Sequence, residues 1–314
     1  NLTTKIKVMT IFHVCFFFLL VTDFIRCKTV SSQRKESIIT GDGSLEGGQY
    51  RYFFDSTVST FCDTVVMIGV GTGMTTEDYS LVSSEIVLGQ PNLIVLVTDH
   101  SPDWLVKSSE KDYVRVTNAI KDNLAIILPL CSDTRSHSPK LLVGGHSASG
   151  GTAWRCLHQL NFLPYGFIGL DPFRIDPHDT SEGKRPRIPT INYGFTTQTC
   201  GVSPDYAALA SYEASGDWKR RILYRFDSSN VSALSHGSFT DHGCFGSICP
   251  AGYQADDVRT LVAKSVPIFL QSLSTGNFTK SAFDVLTQSN LTVELFANGD
   301  NLPEFIGPIS SIIN

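Results

Sequence analysis

The stretch Leu141-Leu-Val-Gly-Gly-His-Ser-Ala-Ser-Gly-Gly-Thr-Ala-Trp154 constrains the fold more than any other part of the chain. Leu141 to Gly145 reads as a buried strand that breaks at once into a helix, leaving Ser147 on the turn between them. So sharp a turn presses strand and helix backbones together, and the residues two before and two after the serine must be small. Gly145 and Ser149 meet that need, and Gly150 and Gly151 give further clearance. The pattern is Gly-x-Ser-x-Ser, one hydroxymethyl group away from the Gly-x-Ser-x-Gly turn that exposes a nucleophilic serine. A glycine-rich turn in any α/β protein would give the same five residues, so the surroundings must decide.

Those surroundings alternate between strand-like and helix-like segments from residue 48 onward, the pattern of a mostly parallel sheet with helices on both faces. Strands are expected over 50–57, 64–70, 92–98, 141–145, 166–170, 190–194 and 221–227. Helices are expected over 78–87, 111–124, 150–160 and 255–273. The expected organisation is a leader over 1–27, one α/β domain over 28–276 and a peripheral C-terminal tail over 277–314.

At 314 residues and 42% hydrophobic, the chain can bury one large core. A net charge of −5 without a lysine or arginine run argues against a nucleic-acid partner. Near the N-terminus, Lys5 and Lys7 precede an apolar run from Val8 to Val21. As a helix it would span roughly 21 Å, short of the roughly 30 Å hydrocarbon core, so a secretory leader is expected rather than a membrane span. Secretory or endomembrane localisation follows, and the sequons at Asn230, Asn277 and Asn290 accord with it. The eight cysteines show no metal spacing, and disulfides are expected, with Cys200–Cys244 the first pair to test. No cofactor and no metal are expected.

A serine nucleophile needs a histidine base, and the histidine needs a carboxylate to fix its tautomer. Asp171, 24 residues after Ser147, ends the apolar strand Phe167-Ile-Gly-Leu170, at the sheet edge where open α/β sheets bind ligands. Asp176 is a weaker rival. Ser235-His-Gly-Ser-Phe-Thr-Asp-His242 supplies two histidines after the last clear strand: His236 is the expected base and His242 its competitor. His146, beside the serine, is expected to pack or orient the turn, because adjacent residues on a tight turn point apart. The transition-state oxyanion needs two backbone N–H donors. Ala148, just after the serine, supplies one, and the loop after the 64–70 strand supplies the other, from Thr72 or next from Gly73.

With these residues in place, the chain resembles the chlorophyllases, within the α/β-hydrolase superfamily. Gly145-His-Ser-Ala-Ser-Gly-Gly-Thr-Ala-Trp154 is similar to their Gly-His-Ser-Arg-Gly-Gly-x-Thr-Ala-Phe turn, and Ile168-Gly-Leu-Asp-Pro172 to their Ile-Gly-Ile-Asp-Pro, whose aspartate is the triad acid. Ser235-His-Gly-Ser-Phe-Thr-Asp241 matches their histidine signature loosely, and the resemblance runs from about 60 to 272. It implies an α/β-hydrolase fold and a carboxylic-ester hydrolase, with chlorophyll cleavage to chlorophyllide and phytol as one specific activity. The expected partner is a small or lipid-like ester, including one presented at a membrane surface. The alternatives are a lipase, cutinase-like or phospholipid-ester hydrolase of the same fold, and a non-catalytic binding protein built on it.

Overall fold

The computed structural model describes residues 37–57, 63–90, 92–101, 103, 105–128, 139–175, 187–230, 232–244, 249–284, 291–297 and 300. The leader, Asn290, Asp176 and four of the cysteines lie outside them. The described residues form an α/β fold around a nine-stranded sheet: β1 (Ile38–Leu45), β2 (Gly48–Asp55), β3 (Thr64–Gly69), β4 (Leu93–Asp99), β5 (Lys140–His146), β6 (Gly166–Leu170), β7 (Thr190–Phe195), β8 (Arg221–Phe226) and β9 (Val293–Ala297). The spatial order is β1-β2-β4-β3-β5-β6-β7-β8-β9. Pairs from β4 through β8 run parallel, while β1–β2, β2–β4 and β8–β9 are antiparallel.

All six residues of β3 are buried, and the strand serves two cores at once. Val66 and Ile68 join Leu142 and Ile168 on one face, whereas Val65 and Met67 join Leu141, Val143 and Phe167 on the other. That division is the period-2 geometry of a strand covered on both sides, and it explains the near-continuous apolar runs. Helices α1 (Ser80–Gly89) and α6 (Ala255–Thr275) cover the first face; α2 (Glu110–Asp122) and α4 (Ser147–Cys156) cover the second. In α2, Tyr113, Val116, Thr117 and Ile120 fall on one stripe at helical spacing and are the buried residues. The Ser109 hydroxyl caps its start by accepting from the Asp112 N–H, with Glu110 and Asp112 in the first turn and Lys121 in the last, as the helix dipole favours. Three short helices, α3 (Leu124–Ile127), α5 (Ala208–Ala214) and α7 (Lys280–Phe283), complete the described set.

Three expectations change. Strand β1 precedes the expected first strand and pairs with β2 through a two-residue turn at Glu46 and Gly47, both at positive φ, the conformation tight hairpins require. Helix α5 lies where no helix was expected. The described part of the expected peripheral tail is built into the domain: β9 is an edge strand of the sheet, and Phe278 and Phe283 are buried in the core beside Phe269. Its polar and glycine-containing neighbours hide these apolar anchors from a composition-based reading.

Candidate active site

The parallel strands end together at one edge of the sheet, and the expected residues gather there. His146 at the end of β5 pairs in register with Leu170 at the end of β6, so Ser147 and Asp171 each lie one residue beyond a matched pair. Both leave the sheet in the left-handed backbone region, Ser147 at φ 53° and Asp171 at φ 44°. For a residue with a Cβ that conformation costs about 1–2 kcal/mol, and the surrounding backbone holds it. The Ser147 carbonyl accepts the Phe173 N–H at 2.8 Å, and the Asp171 N–H donates to the Tyr193 carbonyl at 2.7 Å. The tight turn has the steric cause the sequence implied: a Cβ on Gly150 would stand 2.4 Å from the Gly145 carbonyl oxygen.

Beyond β8, His236 opens a single 3-10 turn, His236–Phe239, capped by Ser235, whose hydroxyl accepts from the Gly237 N–H. The turn is buried, and His236 Nδ1 donates to Asp171 Oδ2 at 2.7 Å, with both side chains about 95% shielded from solvent. Its backbone N–H donates to Thr199 Oγ1 at 3.0 Å. Next to Thr199, Cys200 forms a disulfide with Cys249, which corrects the expected Cys200–Cys244 pairing. Cys244 is instead a buried free thiol that faces Cys249 across an isolated β-bridge, with its N–H donating to the Cys249 carbonyl at 2.7 Å. Burial raises its pKa far above the ordinary thiol range.

His236 Nε2 is buried and makes no hydrogen bond among the described residues, so it does not hold the Ser147 hydroxyl in this state. His242, the competing base, is exposed on the surface of the same loop. The two histidines differ because the 3-10 turn points His236 inward toward Asp171, whereas His242 lies past the end of that turn.

His146, expected to pack or orient the turn, is packed. Its ring is fully buried and lies 4.4 Å, centroid to centroid, from that of His236. Nε2 donates to the His236 carbonyl at 3.0 Å, which leaves Nδ1 as the acceptor for the Tyr79 hydroxyl at 2.8 Å. Burial foremost, and then the neighbouring His236, push its pKa well below the usual histidine value, so the ring stays neutral.

The loop after β3 approaches the serine closely. A Cβ on Gly71 would stand 3.2 Å from the Ser147 Cβ. Gly71 to Met74 forms a turn closed by the Met74 N–H on the Gly71 carbonyl at 3.2 Å, with Gly73 at φ 69°, so Thr72 sits at its first corner. Ala148 occupies the first turn of α4, where backbone N–H groups have no partner within the helix. Of the two expected oxyanion donors, Thr72 thus follows directly on Gly71, the residue that approaches Ser147, and Ala148 follows directly on Ser147 itself.

Sequence reasoning missed Tyr79, Thr199 and a buried cluster behind the turn. In that cluster Lys107 Nζ donates to Asp99 Oδ1 at 2.6 Å, and His100 Nε2 donates to the Lys107 carbonyl at 2.9 Å. Burial lowers the His100 pKa to about 4. None of these residues lies in a local motif, and only their long-range packing distinguishes them. No group of His, Cys, Asp and Glu among the described residues is arranged to hold a metal, and no described helix is long and apolar enough to cross a membrane. The chain matches no protein-family model, and no curated protein matches it.

Proposed function

We propose that the protein is a serine carboxylic-ester hydrolase of the α/β-hydrolase fold, with Ser147 as nucleophile, His236 as general acid and base, and Asp171 as the carboxylate that orients it. The observation that carries this reading is the buried Asp171–His236 pair, which fixes the proton on Nδ1 and leaves Nε2 without a hydrogen-bond partner among the described residues. The chain order serine, acid, histidine after β5, β6 and β8 supports it, as does the strained backbone at Ser147.

In this reading, substrate binding brings the Ser147 hydroxyl to Nε2 by rotation of its side chain, a contact that commonly tightens only in the substrate complex. The hydroxyl oxygen attacks the ester carbonyl as Nε2 takes its proton, and the carbonyl oxygen becomes an oxyanion held by the Thr72 and Ala148 N–H groups. The imidazolium, stabilised by Asp171, gives the proton to the departing alcohol, leaving an acyl-serine. Water then attacks with the same base and releases the acid. The resemblance to chlorophyllases names a phytyl ester as a candidate substrate.

Labelling with a fluorophosphonate probe tests the nucleophile. The wild type should become labelled and Ser147→Ala should not. Unchanged labelling of Ser147→Ala refutes the assignment, and an unlabelled wild type favours a non-catalytic binding protein. Turnover of chlorophyll, triglyceride and short p-nitrophenyl esters then ranks the ester classes.

A further inference from the structure

One peptide bond beside the site is gripped at both of its polar groups by side chains. The Val70 carbonyl accepts the Ser149 hydroxyl, and the N–H on the other side of the same peptide, that of Gly71, donates to the Tyr79 hydroxyl oxygen at 2.8 Å. Strand pairing ends just before it, where the Val70 N–H donates to the Thr98 carbonyl at 3.0 Å. The peptide therefore sits past the end of β3, where the sheet no longer dictates its orientation, and it leads directly into Thr72.

The hydrogen bonds also have a fixed direction. His146 commits its single proton, on Nε2, to the His236 carbonyl, so Nδ1 must accept. The Tyr79 hydroxyl lies 2.8 Å from that nitrogen and 2.9 Å from the Met74 sulfur; nitrogen is the stronger acceptor, so the phenolic proton points to His146. The Tyr79 oxygen consequently faces Gly71 as an acceptor. Were the Val70–Gly71 peptide to flip, a carbonyl oxygen would face an oxygen whose proton is committed elsewhere. Burial keeps both groups neutral, lowering the pKa of His146 and raising that of Tyr79, so the direction persists. On the opposite side, the Ser149 hydroxyl has a farther acceptor in His100 Nδ1, at 3.5 Å. Ser149 also fits sterically: a Cβ on the facing Gly69 would stand 2.8 Å from the Ser149 Cβ.

The geometry points to Ser149 and Tyr79 as positioning residues that clamp the Val70–Gly71 peptide and thereby aim the Thr72 N–H at the oxyanion. This rests on the esterase reading for its catalytic consequence, though not for the clamp itself. It gives a role to the departure from Gly-x-Ser-x-Gly: the extra hydroxymethyl of Ser149 holds the oxyanion loop rather than being a tolerated misfit. The same chain of contacts, Gly71 to Tyr79 to His146 to the His236 carbonyl, joins the oxyanion loop to the backbone of the base.

Ser149→Gly is the sharpest test, because it restores the usual motif. A purely steric view of the turn expects it to be neutral or beneficial. The clamp expects kcat on p-nitrophenyl butyrate to fall roughly 10- to 100-fold with KM within about threefold of wild type, the pattern of a displaced transition-state donor. Ser149→Ala and Tyr79→Phe, which keep the packing, should do the same, and the 69–74 amides should exchange hydrogen faster in all three. Wild-type kcat and wild-type exchange in these variants would overturn the clamp. Faster exchange in the variants of a protein whose wild type neither turns over esters nor takes the fluorophosphonate would uphold the clamp while overturning the esterase reading.

Discussion

Replacing Cys200 with serine removes a cross-link between the loop after β7 and the segment that follows the His236 turn, and its size can be worked from the chain. Cys200 and Cys249 are 49 residues apart, and closing a loop of that length lowers the entropy of the unfolded chain by an amount worth about 4 kcal/mol at 25 °C. Measured losses usually fall below this limit, so the expected destabilisation of Cys200→Ser is about 2–4 kcal/mol. For a domain of this size that corresponds to a fall of roughly 5–15 °C in the thermal midpoint. A second consequence follows from Thr199, whose hydroxyl accepts the His236 backbone N–H: loosening its neighbour should lower kcat at temperatures where the variant is still folded. The assay is thermal unfolding of wild type, Cys200→Ser and Cys244→Ala without reductant, together with non-reducing peptide mapping. Cys244→Ala should behave as a modest cavity variant with the 200–249 linkage intact. A midpoint for Cys200→Ser equal to wild type, or a map linking 244 to 200, would falsify the pairing and the reasoning built on it.

Other outcomes follow from the site and its surroundings. Asp171→Asn should reduce kcat about 10³- to 10⁴-fold by removing the carboxylate that selects the His236 tautomer, with His236→Gln at least as damaging. His242→Gln should stay within about twofold of wild type in the same p-nitrophenyl ester assay; the reverse ranking of the two histidines would make His242 the base. Stability should rise with pH between about 4 and 6.5 and level off above. His100 is held neutral at a pKa of about 4, so the unfolded chain binds more protons in that window, an effect of about 3 kcal/mol at most. His146 adds in the same direction, and urea unfolding at pH 5 and 7.5 should show the difference shrinking in His100→Asn.

Local sequence was enough to locate most strands because the parallel strands are covered on both faces and read as short apolar runs between turns. Leu142 and Val143 are buried against different helices, yet both are simply apolar in the chain. Strand β1 escaped notice because Gly41 and Gly43 interrupt its apolar pattern; they face Tyr52 and Tyr50 across the hairpin, a relation that exists only once the strands pair. Strand β9 was hidden likewise, its place fixed by β8 rather than by its own alternation.

The sequence by itself determined the serine at the strand–helix turn, the aspartate at the next strand end, and the shortlist of histidines, because each depends on residue types within a few positions of one another. Only the tertiary structure set His236 rather than His242 against Asp171, replaced Cys244 with Cys249 as the partner of Cys200, and brought Tyr79 and Ser149 onto one peptide. Those choices depend on distances between groups tens of residues apart. Such distances are set by how the helices and loops pack against the sheet, and no local pattern of residues encodes them.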